Sequence, residues 1–189
     1  MGDVGYVVTF RQTDPLYTLD LSDPTDPRVV GELKIPGYSA YLHPVGEGLL
    51  LGVGQDADAS GRTQGLQASL FDVSDPANPL RIDTEGFGAY ATSEVEYDHH
   101  AFSWFADHGL AVLPVESYSP SEFYGAAGLR ITPGGDDPLG RVAKVSRGNS
   151  YEDAIHRSVE LGGRIYTVAG TGVDAYDPAT MAHLGRLDY

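Results

Sequence analysis

The chain of 189 residues contains no cysteine, so it forms no disulfide and offers no thiolate to a metal. Lysine is nearly absent, with Lys34 and Lys144 its sole examples, and 12 basic residues face 27 acidic ones for a formal net charge of -15. Nucleic acid and anionic membranes both require a basic face, so neither is expected as a partner. No apolar run approaches the roughly 20 residues that cross a bilayer. Met1-Gly2-Asp3-Val4 lacks the basic and apolar regions of a signal peptide. Helical periodicity is missing too; Ser121 to Ala127 is the one stretch compatible with a turn of helix. There is no Gly-x-Ser-x-Gly, and no phosphate-binding glycine loop ahead of a helix, so the commonest serine-hydrolase and nucleotide signatures are excluded.

What is abundant is turn chemistry, with 24 Gly and 12 Pro against 41% hydrophobic residues. It is also repeated. Leu19-Asp20-Leu21-Ser22-Asp23-Pro24-Thr25-Asp26-Pro27 returns as Phe71-Asp72-Val73-Ser74-Asp75-Pro76-Ala77-Asn78-Pro79, and more loosely as Val173-Asp174-Ala175-Tyr176-Asp177-Pro178. Asp20, Asp72 and Asp174 therefore mark a period of about 51 residues, the sign of a repeat architecture. Each copy alternates as a strand and then stops: Pro presets the first corner of a turn, and the Asp or Ser before it accepts from the turn's own amides. A second marker has nearly the same spacing. His43, His100 and His156 each precede a glycine and an apolar strand, at Gly48-Leu49, Gly109-Leu110 and Gly163-Arg164-Ile165.

Taken in order, the chain reads as four all-β units: residues 1–37, which begin without the His-bearing strand, then 38–88, 89–147 and 148–189. Four strands joined by tight hairpins fit a blade of a β-propeller, in which each blade buries its faces on its neighbours. A β-sandwich accounts for the strands but not for the fixed spacing of the turns. In the third unit Ser93 to Phe105 is expected as one strand, and a long loop is expected through Tyr118 to Ala127. With its opening strand missing, the set of about four blades is expected to be part of a larger propeller and to be prone to association when alone.

The resemblance becomes specific at Phe10-Arg11-Gln12-Thr13-Asp14-Pro15-Leu16-Tyr17, at Gly31-Glu32-Leu33-Lys34-Ile35-Pro36-Gly37-Tyr38, at Tyr41-Leu42-His43-Pro44 and at the Asp72 hairpin. With these motifs the chain resembles the secreted β-propeller domain proteins of bacteria and archaea, distant relatives of WD-repeat propellers. The Asp-Val-Ser-Asp-Pro hairpin is also similar to LVIVD-type repeats of surface proteins. The resemblance implies a propeller fold and an extracellular or cell-surface location, and it brings no catalytic residue with it. Family members are longer, so the chain resembles the carboxy-terminal part of one.

Four groups of residues could carry chemistry. Asp56, Asp58 and Ser60, followed by Gly61, place oxygen ligands at alternate positions as a calcium loop does, although Gln67 stands where an EF-hand would close with Glu. Calcium is the one cofactor so suggested; the same residues also suit an acidic surface turn. His43, His100 and His156 could be metal ligands, or a repeated hydrogen-bonding histidine in successive blades. Glu94, Glu96, Asp98 and His100 would share one side of an extended strand, with His99 on the other. Glu116, Glu122, Tyr118 and Tyr124 fall in the longest loop. None of this requires a catalytic or cofactor-binding residue. The expectation is an exported binding or structural module for a protein or glycan ligand, the alternative a propeller-scaffold hydrolase or oxidoreductase with its site at the central funnel.

Overall fold

The structure, a computed structural model, describes residues 1–9, 13–119 and 121–189, and of residues 13 and 14 the backbone alone. Phe10, Arg11 and Gln12 of the first resemblance motif, and Pro120 of the long loop, lie outside the described residues. The fold is all-β: the described residues form four antiparallel sheets with four single 3-10 turns, the make-up of a propeller segment of about four blades. They fall into two compact units, residues 1–86 and 87–189.

In the first unit β1 (Val4–Val8), β2 (Thr13–Asp20) and β3 (Arg28–Pro36) make one meander. A second contains β4 (Tyr38–Gly46), β5 (Leu49–Ala57), β6 (Thr63–Asp72) and β7 (Leu80–Gly86). The continuous apolar run of β5 is buried on both faces, as its sequence requires. Between the meanders lie Leu16, Ile35, Leu50, Phe71 and Val73, with Tyr6, Val8, Leu33 and Leu42 packed against them. Each fully buried leucine there contributes about 1.5–3 kcal/mol.

The hairpins explain the repeat. Asp20 pairs with Arg28 and Asp72 with Leu80, so both strands end on the aspartate. In the first turn Asp23 Oδ1 accepts from the Thr25 amide at 2.9 Å, and the Asp26 amide donates to the Asp23 carbonyl at 3.1 Å. In the second, Asp75 Oδ1 accepts from Ala77 at 3.0 Å and the Asn78 amide donates to the Asp75 carbonyl at 3.1 Å. The recurrent glycines also have a cause: Gly48, Gly109 and Gly163 have φ of 66°, 56° and 72°, the left-handed turn that leads into β5, into β10 (Leu110–Ser117) and into β14 (Arg164–Ala169).

The second unit departs from expectation in two places, residues 93–105 and the loop expected over 118–127, where a strand already runs from Phe123. Ser93 to Phe105 is not one strand. Only β8 (Ala91–Thr92) and β9 (Ser103–Phe105) are extended, both pairing with β10, and 3-10 turns at Glu94–Glu96 and His99–Ala101 separate them. The sequence between alternates as a strand would, but each turn has its own cap. Ser93 Oγ accepts from Val95 while Glu96 reaches back to the Ser93 amide; Asp98 accepts from the His100 amide. Local side-chain bonds thus replace the ladder. The turn of helix expected at Ser121 to Ala127 is absent as well: β11 (Phe123–Ile131) is already extended, pairing with β10 and with β12 (Leu139–Gly148). At Gly125 an added Cβ would lie 2.1 Å from the Val145 carbonyl oxygen, so the glycine serves a close strand approach. The last sheet is β13 (Ile155–Leu161), β14, β15 (Gly172–Tyr176) and β16 (His183–Asp188). Phe105, Leu110, Val112, Ala126, Ile155, Ile165, Tyr176 and Met181 form the core of this unit.

Candidate functional site

The two 3-10 turns turn Glu94 and Asp98 toward β13, where a bulge between Ile155 and Arg157 re-aims the strand's side chains. Arg157 Nη1 donates to Glu94 Oε1 at 2.7 Å and Nη2 to Asp98 Oδ2 at 2.5 Å. His156 Nδ1 lies 2.7 Å from Glu94 Oε2. Burial alone would push the Glu94 carboxyl up, but the bonds from Arg157 and His156 outweigh it and hold it below the usual range. The His100 amide and ring, with Arg157, likewise lower Asp98, and Glu94 raises Arg157. The cluster is one arginine bridging two carboxylates, with His156 hydrogen-bonded to one of them.

On its outer side Asp98, His99 and His100 bring one ligand atom each to within 4.8 Å of one another. His100 Nδ1 sits 3.0 Å from Asp98 Oδ1, and Asp98 Oδ2 is held by Arg157, so an ion here would displace contacts already made. Glu96 turns back to cap Ser93 and does not line a common strand face with Glu94, Asp98 and His100, because there is no strand.

The three repeat histidines have different surroundings. His43, on β4 of the first unit, has Nδ1 2.8 Å from Tyr41 Oη, and burial lowers its pKa. His100 bonds Asp98 and His156 bonds Glu94, so these two join one network through Arg157.

The acidic loop after β5 closes on itself. Asp58 Oδ1 accepts from the Ser60 amide at 2.8 Å, the Ser60 hydroxyl at 2.5 Å and the Arg62 amide at 3.0 Å. Gln64 donates to Oδ2, and Arg62 Nε is 3.7 Å from it. Asp56 lies within β5, opposite Gly65. A calcium ion bound by Asp56, Asp58 and Ser60 would have to displace a guanidinium and the turn's own donors.

Asp174 had no such role in the sequence reading. It is 1% exposed and meets Arg147, at 3%, through a 2.5 Å bond from Nη1 to Oδ2. Arg186 Nε and His183 Nε2 reach its other oxygen at 2.8 and 2.9 Å. Arg147 also donates to Thr171 Oγ1 and to the Thr171 and Leu187 carbonyls, and pairs with Asp188. Sequence reasoning missed Arg147 and Arg157; the one available signal was an excess of carboxylates over arginines, which leaves any arginine near the interior with acidic partners to meet.

Three exposed tyrosines, Tyr97, Tyr118 and Tyr151, adjoin the ion-pair cluster around the buried Tyr124. Tyr118 Oη donates to Glu116 Oε2 at 2.8 Å, and that bond pushes its phenol up to about 12. The ring of Tyr124 stands edge-on to Tyr118, with centroids 6.0 Å apart, and to Tyr151, at 6.2 Å.

With this geometry, comparison with known proteins identifies the family. The sequence pattern of the family described as "Beta propeller domain" matches residues 1–181. The chain belongs to this β-propeller family. An uncharacterized protein of Archaeoglobus fulgidus is 36% identical over 186 residues, 98% of this propeller chain and 26% of the relative. An uncharacterized protein of Methanocaldococcus jannaschii is 43% identical over 119 residues, 63% of this chain and 18% of that one. The propeller chain thus spans about a quarter or less of the length of these curated relatives. Among its described residues no helix is long and apolar enough to cross a membrane.

Proposed function

We propose that this propeller segment is a binding module of a longer, exported protein, presenting a ligand surface at the β10–β11 end of the second unit. The observation that carries the reading is the closed pairing of Glu94, Asp98, His156 and Arg157. Carboxylates held low by an arginine and by hydrogen bonds are poor general bases, whereas they make a rigid shelf for the side chains around them. A protein or glycan is the expected ligand. Export to the surface or medium is part of the same proposal; it draws on the likeness of the Asp-Pro hairpins to secreted propellers, and fractionation of the source cells tests it.

The rival, a hydrolase or oxidoreductase built on the propeller, draws on Asp98, His99 and His100 as a metal-binding set. One experiment separates the two. The protein is probed on glycan and peptide arrays and, in parallel, against chromogenic esters, glycosides and phosphates with and without zinc. Saturable binding without turnover is the expected result. Zinc-dependent turnover lost in His99→Ala, or any turnover lost in Glu94→Gln, overturns the binding reading.

A further inference from the structure

The second unit leaves large aromatic side chains in water beside a group of carboxylates. Tyr97 is 81% exposed, Tyr151 66% and Tyr118 54%, while Tyr124 is buried beneath them and fixes Tyr118 and Tyr151 edge-on at 80° and 89°. They come from separate elements: Tyr97 ends the first 3-10 turn, Tyr118 follows β10, Tyr124 is on β11 and Tyr151 opens the 3-10 turn at Tyr151–Asp153. The sequence does not assemble this group; the fold does. Burial raises the phenols of Tyr97 and Tyr124 and the Glu116 hydrogen bond that of Tyr118; the charges of Glu94, Glu96, Glu116 and Glu122 add to this in the tyrosines they reach.

Exposed aromatic rings are costly to leave in water and are the residues that anchor protein interfaces. A ring face also attracts a cation, and a neighbouring carboxylate reinforces the attraction. A guanidinium fits both demands, because it stacks flat on a ring and donates in its own plane to a carboxylate; an ammonium is a compact, strongly hydrated charge that stacks less well. A net charge of -15 draws a basic partner toward the surface from a distance.

We infer that Tyr97, Tyr118 and Tyr151, with Glu116 and Glu122, form a docking surface for an arginine-bearing segment of a partner protein. The inference rests on the binding-module reading and names its ligand class. The occupant is a basic peptide because three exposed rings from separate elements share one face with carboxylates and because the charge is complementary.

The probe is a pair of peptides of equal length and charge, one rich in arginine and one in lysine, titrated against the protein by calorimetry at about physiological salt. The arginine peptide should bind about tenfold more tightly. Tyr97→Ala combined with Tyr151→Ala, which alters no charge and removes two exposed rings, should weaken arginine binding by about tenfold with an unchanged melting curve. Equal affinity for the two peptides, or undiminished arginine binding to the double variant, would mean non-specific attraction to an acidic protein and would overturn the inference. Binding of a neutral oligosaccharide at these tyrosines with no preference for arginine would also overturn it while leaving the binding-module reading intact. Turnover in the parallel substrate assay is the separate result that removes that reading itself.

Discussion

Asp72 and Asp174 stand at the same place in the same written pattern, three residues ahead of an Asp-Pro turn. At Asp72 the strand is over: its Oδ1 accepts from the Ser74 amide at 2.9 Å and the Ser74 hydroxyl at 2.6 Å, and the group remains wet. Asp20 does the same with the Ser22 amide. In the third copy Tyr176 replaces that serine, fills the core and continues the strand past Asp174. The Asp177 turn is also wider, with the Met181 amide donating to the Asp177 carbonyl and Met181 at φ 55°. Asp174 is therefore inside a strand, without its local donors, and binds Arg147, Arg186 and His183 in their place. A repeat marks a position on a strand; the neighbours decide what a residue does there.

The contrast is tested most severely at Asp174. Asp174→Ala leaves the buried guanidinium of Arg147 without its inner carboxylate, and the expected loss is about 3–5 kcal/mol in urea unfolding. Arg147→Met added to that variant should recover part of the loss, since a vacant pair of buried charges can be replaced by apolar packing at little cost. If the double variant loses the sum of the two single losses, the pair is not coupled.

Acid gives a smaller effect on the same feature. Burial pushes the Asp174 carboxyl up, but its bonds from Arg186, His183 and Arg147 prevail and hold it below its ordinary value of 3.8. In the interval between those two values the unfolded chain carries the extra proton, so stability rises with pH. The contribution is complete above the unfolded value and is lost as pH falls through the folded one. Urea midpoints should therefore fall as pH drops from about 5 to about 3, and Asp174→Asn should flatten that slope. An unchanged slope would assign acid sensitivity to other carboxylates, such as Glu94.

The smallest effect belongs to Asp72. Asp72→Ala removes bonds that water can replace, and its stability should stay within about 0.5 kcal/mol of the parent. Equal losses at Asp72 and Asp174 would erase the comparison.

Much of the fold was legible. Hairpins spelled with Asp-Pro, glycines ahead of the inner strands and the doubly apolar run of β5 each have a local cause, and each appears where that cause acts. Ser93 to Phe105 was misread because Glu94, Glu96, Asp98 and His100 satisfy the period of a strand while Ser93 and Asp98 also satisfy that of a capped turn, and the caps prevail. The tyrosine surface was half visible: Tyr118 and Tyr124 are near one another in the chain, but Tyr97 and Tyr151 reach them only through the packing of separate elements. The Arg157 and Arg147 networks join strands that are distant in sequence, so no spacing could announce them.

Arg147 has one more consequence, for the edge of a sheet. β16 lies at the end of its sheet with Leu184 and Leu187 exposed and little apolar burial of its own. Arg147 holds it by the Leu187 carbonyl and the Asp188 carboxylate, and Arg186 returns a bond to the Arg147 carbonyl. An unpaired strand with apolar side chains is a template for pairing with another chain. Here the guanidinium adds a side-chain tie to the backbone ladder that already pairs β16 with β15, so losing it would loosen the edge without detaching the strand, and the damage would be read first as aggregation of a chain that is still mostly folded.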